Sequence, residues 1–328
     1  MTDQGSGCAG EGVIRVMHVV TIAALVAAAY GWWRGRAAVA GTTLLSAWRW
    51  GVSAIVLSLA AAVAELLGTP FRSVADHLWY ASCVLWVCPA VAVLGARRPG
   101  SGAWGAFVMI PLVLVLEWPV TGVAVAGRVS GVSSGPLLQN VHLDWPELVA
   151  WLVVLVLGTG NYVLTRRGGV VLAGVGGLVA ILWPLTGSIP AGTWGEFTRL
   201  GGVLLLSGAL WRARRSGTVV PSEPDPDFRE RLDKAWDDFY QAYGLVWAAR
   251  VGNRVNEELA RIEGDAVLGP AGMAFADEET VVAEQRVAVY ERAESTLRWL
   301  WARFVDDDWI ESRLGPGAPL GAKEPRGL

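Results

Sequence analysis

The chain has 328 residues, of which 53% are hydrophobic and 17% charged. Soluble domains are about a quarter charged, so an ordinary water-soluble globule is excluded and a membrane protein is expected. The net charge of −3 is split unevenly: residues 1–215 hold 14 basic and 8 acidic residues and residues 216–328 hold 13 and 22, which predicts two regions of different chemistry.

Seven apolar runs follow one another at 13–33, 43–67, 76–96, 103–125, 145–165, 169–187 and 197–213. Most approach the roughly 20 residues a helix needs to cross about 30 Å of hydrocarbon. They lack period-two alternation, so helices rather than a barrel are expected. The first run follows acids rather than a basic segment and is read as an uncleaved helix. Cys8 has no apolar stretch before it, which argues against a lipid-attachment cysteine. Arg49, between Trp48 and Trp50, sits near enough to one end of the second run to snorkel. Cys83 and Cys88 point different ways around the third run and read as packing residues.

The fourth and sixth runs close on "LEWPVTG" and "LWPLTG". Both Trp-Pro pairs fall at the depth of an interfacial aromatic belt, in a chain with 18 tryptophans, and are expected to be surface anchors. Leu182 stands where the other copy has Glu117, so the motif does not require an acid. In "DWPE", by contrast, Asp144, Pro146 and Glu147 resemble a capping box that opens the fifth run. Gly169, Ala173 and Gly177 give the sixth run a small-residue face for helix contact. Gly158 and Gly160 lie in an apolar helix and do not form a dinucleotide loop.

Arginines set the orientation. Nine (Arg34, Arg36, Arg97, Arg98, Arg166, Arg167, Arg212, Arg214 and Arg215) follow odd-numbered runs, against four (Arg15, Arg72, Arg128 and Arg199) on the other side. The N-terminus is therefore expected outside and the C-terminus in the cytoplasm of a bacterial inner membrane. The bacterial origin is taken from the scarcity of lysine, which occurs only as Lys234 and Lys323.

A linker rich in proline and acid, 216–227, precedes a region with helical periodicity. Phe228, Leu232, Trp236, Phe239 and Tyr243 form one stripe, with Val251, Val255, Leu259 and Ile262 beyond Gly244. Val287, Tyr290, Leu297, Leu300, Trp301 and Phe304 form another after the connector "EGDAVLGPAGMAFADEE". The expected fold class is thus all-α: a polytopic bundle of about seven transmembrane helices over 1–215, then a small cytoplasmic amphipathic-helix domain over 228–313 and a disordered tail over 314–328.

No lysine in 1–215 is present to form a retinal Schiff base, and the C-terminal region has no histidine or phosphate-binding glycine loop. No cofactor is indicated. The expected function is a non-enzymatic membrane anchor or sensor whose acidic cytoplasmic domain binds a protein partner or itself. The lipid bilayer is the other expected partner, and the acidic balance argues against nucleic acid. The alternative is a transporter or a metal- or haem-linked redox protein using polar groups at the outer face. His18, His77 and His142 share that side with Glu65, Asp76, Glu117, Asp144, Glu147 and Glu196. His77, Asp76, Glu117, His142 and Asp144 are the candidate metal-ligating set, since imidazole and carboxylates suit a transition metal.

Overall fold

The computed structural model describes residues 5–95, 102–122, 141–188, 193–215, 228–262, 265–276 and 282–316. The linker at 216–227, most of the tail at 314–328, and Arg97, Arg98 and Arg128 lie outside the described residues.

The described chain is almost entirely α-helical, and every apolar run becomes a helix. These are α1 (Gly5–Arg34), α3 (Leu44–Leu66), α4 (Arg72–Leu94), α5 (Gly102–Glu117), α6 (Trp145–Gly160), α7 (Gly168–Leu182) and α8 (Thr193–Arg215), with the one-turn α2 (Arg36–Val39) between the first two. Four stretches are long and apolar enough to cross a membrane: Gly12–Arg34, Leu44–Leu66, Thr69–Leu94 and Gly168–Thr186. The apolar parts of α5 and α6 are shorter, and α8 carries Glu196, Arg199 and terminal arginines. Outward-facing Val16, Val19, Val56, Leu114, Val153 and Leu157 are exposed, an apolar surface that suits lipid.

Glycine sets how closely these helices approach. At Gly51 of α3 a Cβ would overlap the Trp32 indole of α1. There Trp32 and Trp48 exchange hydrogen bonds, each Nε1 donating to the other's carbonyl at 3.0 Å. Gly177 of α7 and Gly202 of α8 each face the other's carbonyl, so neither has room for a side chain. The expected small face is therefore used at Gly177, whereas Gly169 faces open space. Cys83 and Cys88 are buried and unbridged, as packing residues should be.

The C-terminal region forms α9 (Phe228–Ala260), strands β1 (Ala266–Gly269) and β2 (Gly272–Phe275), α10 (Ala283–Trp301) and α11 (Asp307–Leu314). It builds a hydrophobic cluster of its own, with Leu44 of α3 packed at the margin. Phe239 is the hub: its ring stacks on Tyr243 at 4.7 Å and on Trp301 at 5.4 Å. Two members of the predicted stripes, Ile262 and Val287, are exposed instead.

The hairpin corrects the purely helical expectation for this region. β1 and β2 pair antiparallel, Val267 opposite Ala274 and Leu268 opposite Met273. Leu268 and Met273 drop into the core while Val267 points out, and Gly272, at φ 116°, makes the turn that a side chain would resist. α9 holds the hairpin in place. Asn256 accepts from the Leu268 amide at 2.7 Å and donates to its carbonyl at 3.2 Å, and Trp236 Nε1 donates to the Gly269 carbonyl at 2.8 Å.

Candidate functional site

Four helices bring charge together at one end of the bundle. The first turn of α8 supplies Glu196 and, one turn on, Arg199; the last turn of α3 supplies Glu65, the start of α4 supplies Asp76, and α1 supplies His18. Arg199 is the centre: its Nη1 donates to Glu65, its Nη2 lies 3.3 Å from Asp76, and Glu196 lies 3.9 Å away. Trp79, one turn after Asp76, puts its ring 5.5 Å from the guanidinium carbon. The Arg199 side chain is 6% exposed and that of Glu65 7%.

His18 closes the group. Its Nε2 is 3.4 Å from Glu196 but makes no hydrogen bond, and Arg199 Nε and Trp79 Nε1 are likewise buried without a hydrogen-bond acceptor. His18, Glu65 and Glu196 present ligand atoms within 4.8 Å of one another, the one such grouping of metal-ligating side chains among the described residues.

The five residues singled out from sequence fall in four places. Asp76 joins the Arg199 cluster. His77, its neighbour, bonds through Nδ1 to the Ser73 carbonyl of its own helix at 2.7 Å. His142 and Asp144 pair with each other at 3.6 Å with both side chains exposed, held where the Leu143 amide donates to the Leu185 carbonyl and the His142 ring covers Gly187. Asp144 occupies the N-cap position of α6 without a side-chain cap bond, so the capping-box expectation is not met. Glu117 ends α5 with a buried Oε1 that has no hydrogen-bond partner; beside it the Leu116 carbonyl accepts from Tyr80 Oη at 2.5 Å. Trp118 and Trp183 both expose their rings. What sequence reasoning missed is Arg199, counted there only for orientation.

The other end of the bundle carries Arg34, Arg36, Arg166, Arg167, Arg212 and Arg214 in helix ends and turns, and here the C-terminal region docks. Its long helix α9 breaks at Gly244, where φ is 75°. A helix break leaves backbone groups unpaired, and the turn after α6 supplies their partners. Asn161 Nδ2 donates to the Tyr243 carbonyl at 2.9 Å, its Oδ1 accepts from the Val246 amide at 2.8 Å, and its own carbonyl accepts from the Leu245 amide at 2.9 Å. Tyr162 Oη donates to the Ala242 carbonyl at 2.9 Å.

Two more turns complete the seam. Trp247 Nε1 donates to the Val93 carbonyl, the last turn of α4, at 2.9 Å. Before α3, the Thr43 amide donates to the Phe304 carbonyl and the Asp306 amide to the Gly41 carbonyl, at 2.9 and 2.8 Å. Tyr243 Oη lies between these turns, donating to Phe304 at 2.8 Å and 3.2 Å from Thr43 Oγ1. Burial pushes its phenol above the ordinary tyrosine range, so it stays a neutral donor.

No protein-family model, curated protein or solved structure matches the chain.

Proposed function

We propose that the protein is a non-enzymatic sensor and anchor of the bacterial inner membrane, with seven spans, the charged cluster outside and the C-terminal helical domain docked on the cytoplasmic face. One observation carries the coupling: α3 and α4 each bear a cluster carboxylate at one end and a seam contact at the other. On α3 these are Glu65 and the Gly41–Thr43 turn that leads into it; on α4 they are Asp76 and Val93. A 23-residue helix is a rod of about 34 Å. A change in how Arg199 holds these carboxylates therefore displaces two elements on which the domain rests. The arginine bias supports the orientation, and the acidic balance of residues 216–328 supports a protein partner or a second copy over nucleic acid or anionic lipid.

The test is hydrogen exchange on the full chain in nanodiscs, comparing wild type with Glu65→Gln. The coupled reading expects at least a threefold change in exchange at the seam amides 245, 246 and 306, with the α10 core amides unchanged. Unchanged seam amides overturn it. A reporter active only outside the cell, fused after Arg215, is expected to be silent, and an active fusion overturns the orientation.

A further inference from the structure

We propose that His18, Glu65 and Glu196 form a binding site for one divalent first-row transition ion, with Zn2+ as the reference ion. The proposal concerns a ligand at the cluster and does not depend on coupling to the C-terminal domain.

The first argument is charge. Glu65, Asp76 and Glu196 surround the guanidinium of Arg199, and all four side chains are at most 16% exposed; Arg72, one turn before Asp76, is a further cation near that carboxylate but is exposed to solvent. Isolated charge is costly to bury, so a group of this composition needs neutralising cations or protons. Three carboxylates, one guanidinium and one divalent ion sum to zero with a neutral imidazole. The second argument is the unused donor atom. His18 is only 8% exposed, its Nε2 turns into the cluster 3.4 Å from Glu196, and that nitrogen has no hydrogen-bond partner. A buried imidazole nitrogen ordinarily finds one.

Geometry and donor type agree. The three ligand atoms lie within 4.8 Å of one another. A tetrahedral ion with bonds of about 2.1 Å needs separations of roughly 3.4 Å, so a closure of roughly 1.4 Å completes the site. That is within reach of rotamer changes at two glutamates. One imidazole with two carboxylates favours zinc, manganese or ferrous iron over calcium or magnesium, which take all-oxygen shells. Arg199 acts as a positioning residue: it holds Glu65 through one terminal nitrogen and Asp76 through the other.

The chain has three histidines, which makes a direct test available. Full-length protein without a polyhistidine tag, stripped by chelator in detergent, is dialysed against Zn2+ and assayed for bound metal. About one equivalent is expected, with affinity lowered at least about tenfold in His18→Ala and in Glu196→Gln, since even outer-shell changes at metal sites cost 10–100-fold. Retention of wild-type affinity in the double variant overturns the site, as does a stoichiometry near zero in the wild type. Where those variants fail to fold, X-ray absorption on zinc-loaded His77→Ala/His142→Ala protein decides, because His18 is then the sole imidazole. A nitrogen scatterer with imidazole character at about 2.0–2.1 Å supports the site, and an all-oxygen shell overturns it.

Discussion

Replacing Asn161 by alanine isolates the joint between the two regions. Asn161 is 4% exposed, and its amide makes two of the bonds that close the break at Gly244, to the Tyr243 carbonyl at 2.9 Å and from the Val246 amide at 2.8 Å. The third, from the Leu245 amide, uses the Asn161 backbone carbonyl and survives in alanine. Each lost bond leaves a buried partner unsatisfied, at about 1–3 kcal/mol. Partial access of water to the Val246 amide lowers the sum, so about 2–4 kcal/mol is expected for the local opening of the seam. At about 1.4 kcal/mol per factor of ten this is roughly 30- to 800-fold faster exchange at Val246 and its neighbours. The assay is hydrogen exchange by mass spectrometry on the full chain, with a matched Arg166→Ala control. Arg166 meets Asp237 at 3.2 Å with its side chain 80% exposed, and such rim pairs contribute little. An Asn161→Ala chain whose peptides over 240–250 exchange within threefold of wild type would refute the idea that this residue supplies the broken helix with its missing partners.

Gly41→Val is expected to release α11. Gly41 has φ 71° and faces the Asp306 carboxylate, which caps that helix by accepting from the Trp309 amide at 3.0 Å; a strained left-handed valine and a displaced cap together cost about 2–3 kcal/mol, read as faster exchange over 306–314. Glu117→Leu, which installs the residue found at Leu182 in the second Trp-Pro segment, removes a buried oxygen without a partner and is expected to leave the melting temperature unchanged or raise it. Gly202→Val is expected to lower thermal stability in detergent by about 1–3 kcal/mol or more, because the new side chain meets the Gly177 carbonyl and Ile181 across the α7–α8 contact; an unchanged melting curve would show that the two helices part freely.

The seven helices are legible because apolar runs bounded by arginine or Trp-Pro need no tertiary information. The seam is not legible. Asn161 and Tyr162 read as an ordinary helix end, and nothing local links them to Tyr243, 82 residues away along the chain. The hairpin carries a weak signal, since in "AVLG" Ala266 and Leu268 turn inward and Val267 outward. Four residues of alternation do not outweigh a glycine-proline connector when read alone. The charged cluster lies between these cases. His18, Glu65, Asp76 and Glu196 share one end by counting residues along each helix, but which of them meet depends on the direction each side chain takes around its helix. On a helix adjacent residues lie about 100° apart, so Asp76 reaches Arg199 while His77 bonds back to Ser73.

The same geometry separates what stabilises this chain from what it is built to do. The Arg199 guanidinium lies over the ring of Trp79, a fully buried member of the core of the N-terminal helices, so the charged group abuts that core. Replacing a buried ion network with apolar residues of similar volume is often neutral or stabilising, so the packing of α1, α3, α4 and α8 gives no reason for three carboxylates at their junction. The seam differs in kind. Its hydrogen bonds satisfy backbone groups that the break at Gly244 has already exposed, so the stability of the fold is reason enough for them. Structural necessity thus accounts for the contacts at the arginine-rich end and leaves the opposite end unexplained by stability alone. There the three buried carboxylates and the His18 nitrogen without a hydrogen bond call for a ligand, and metal binding by the three-histidine chain and its variants is the measurement that addresses them.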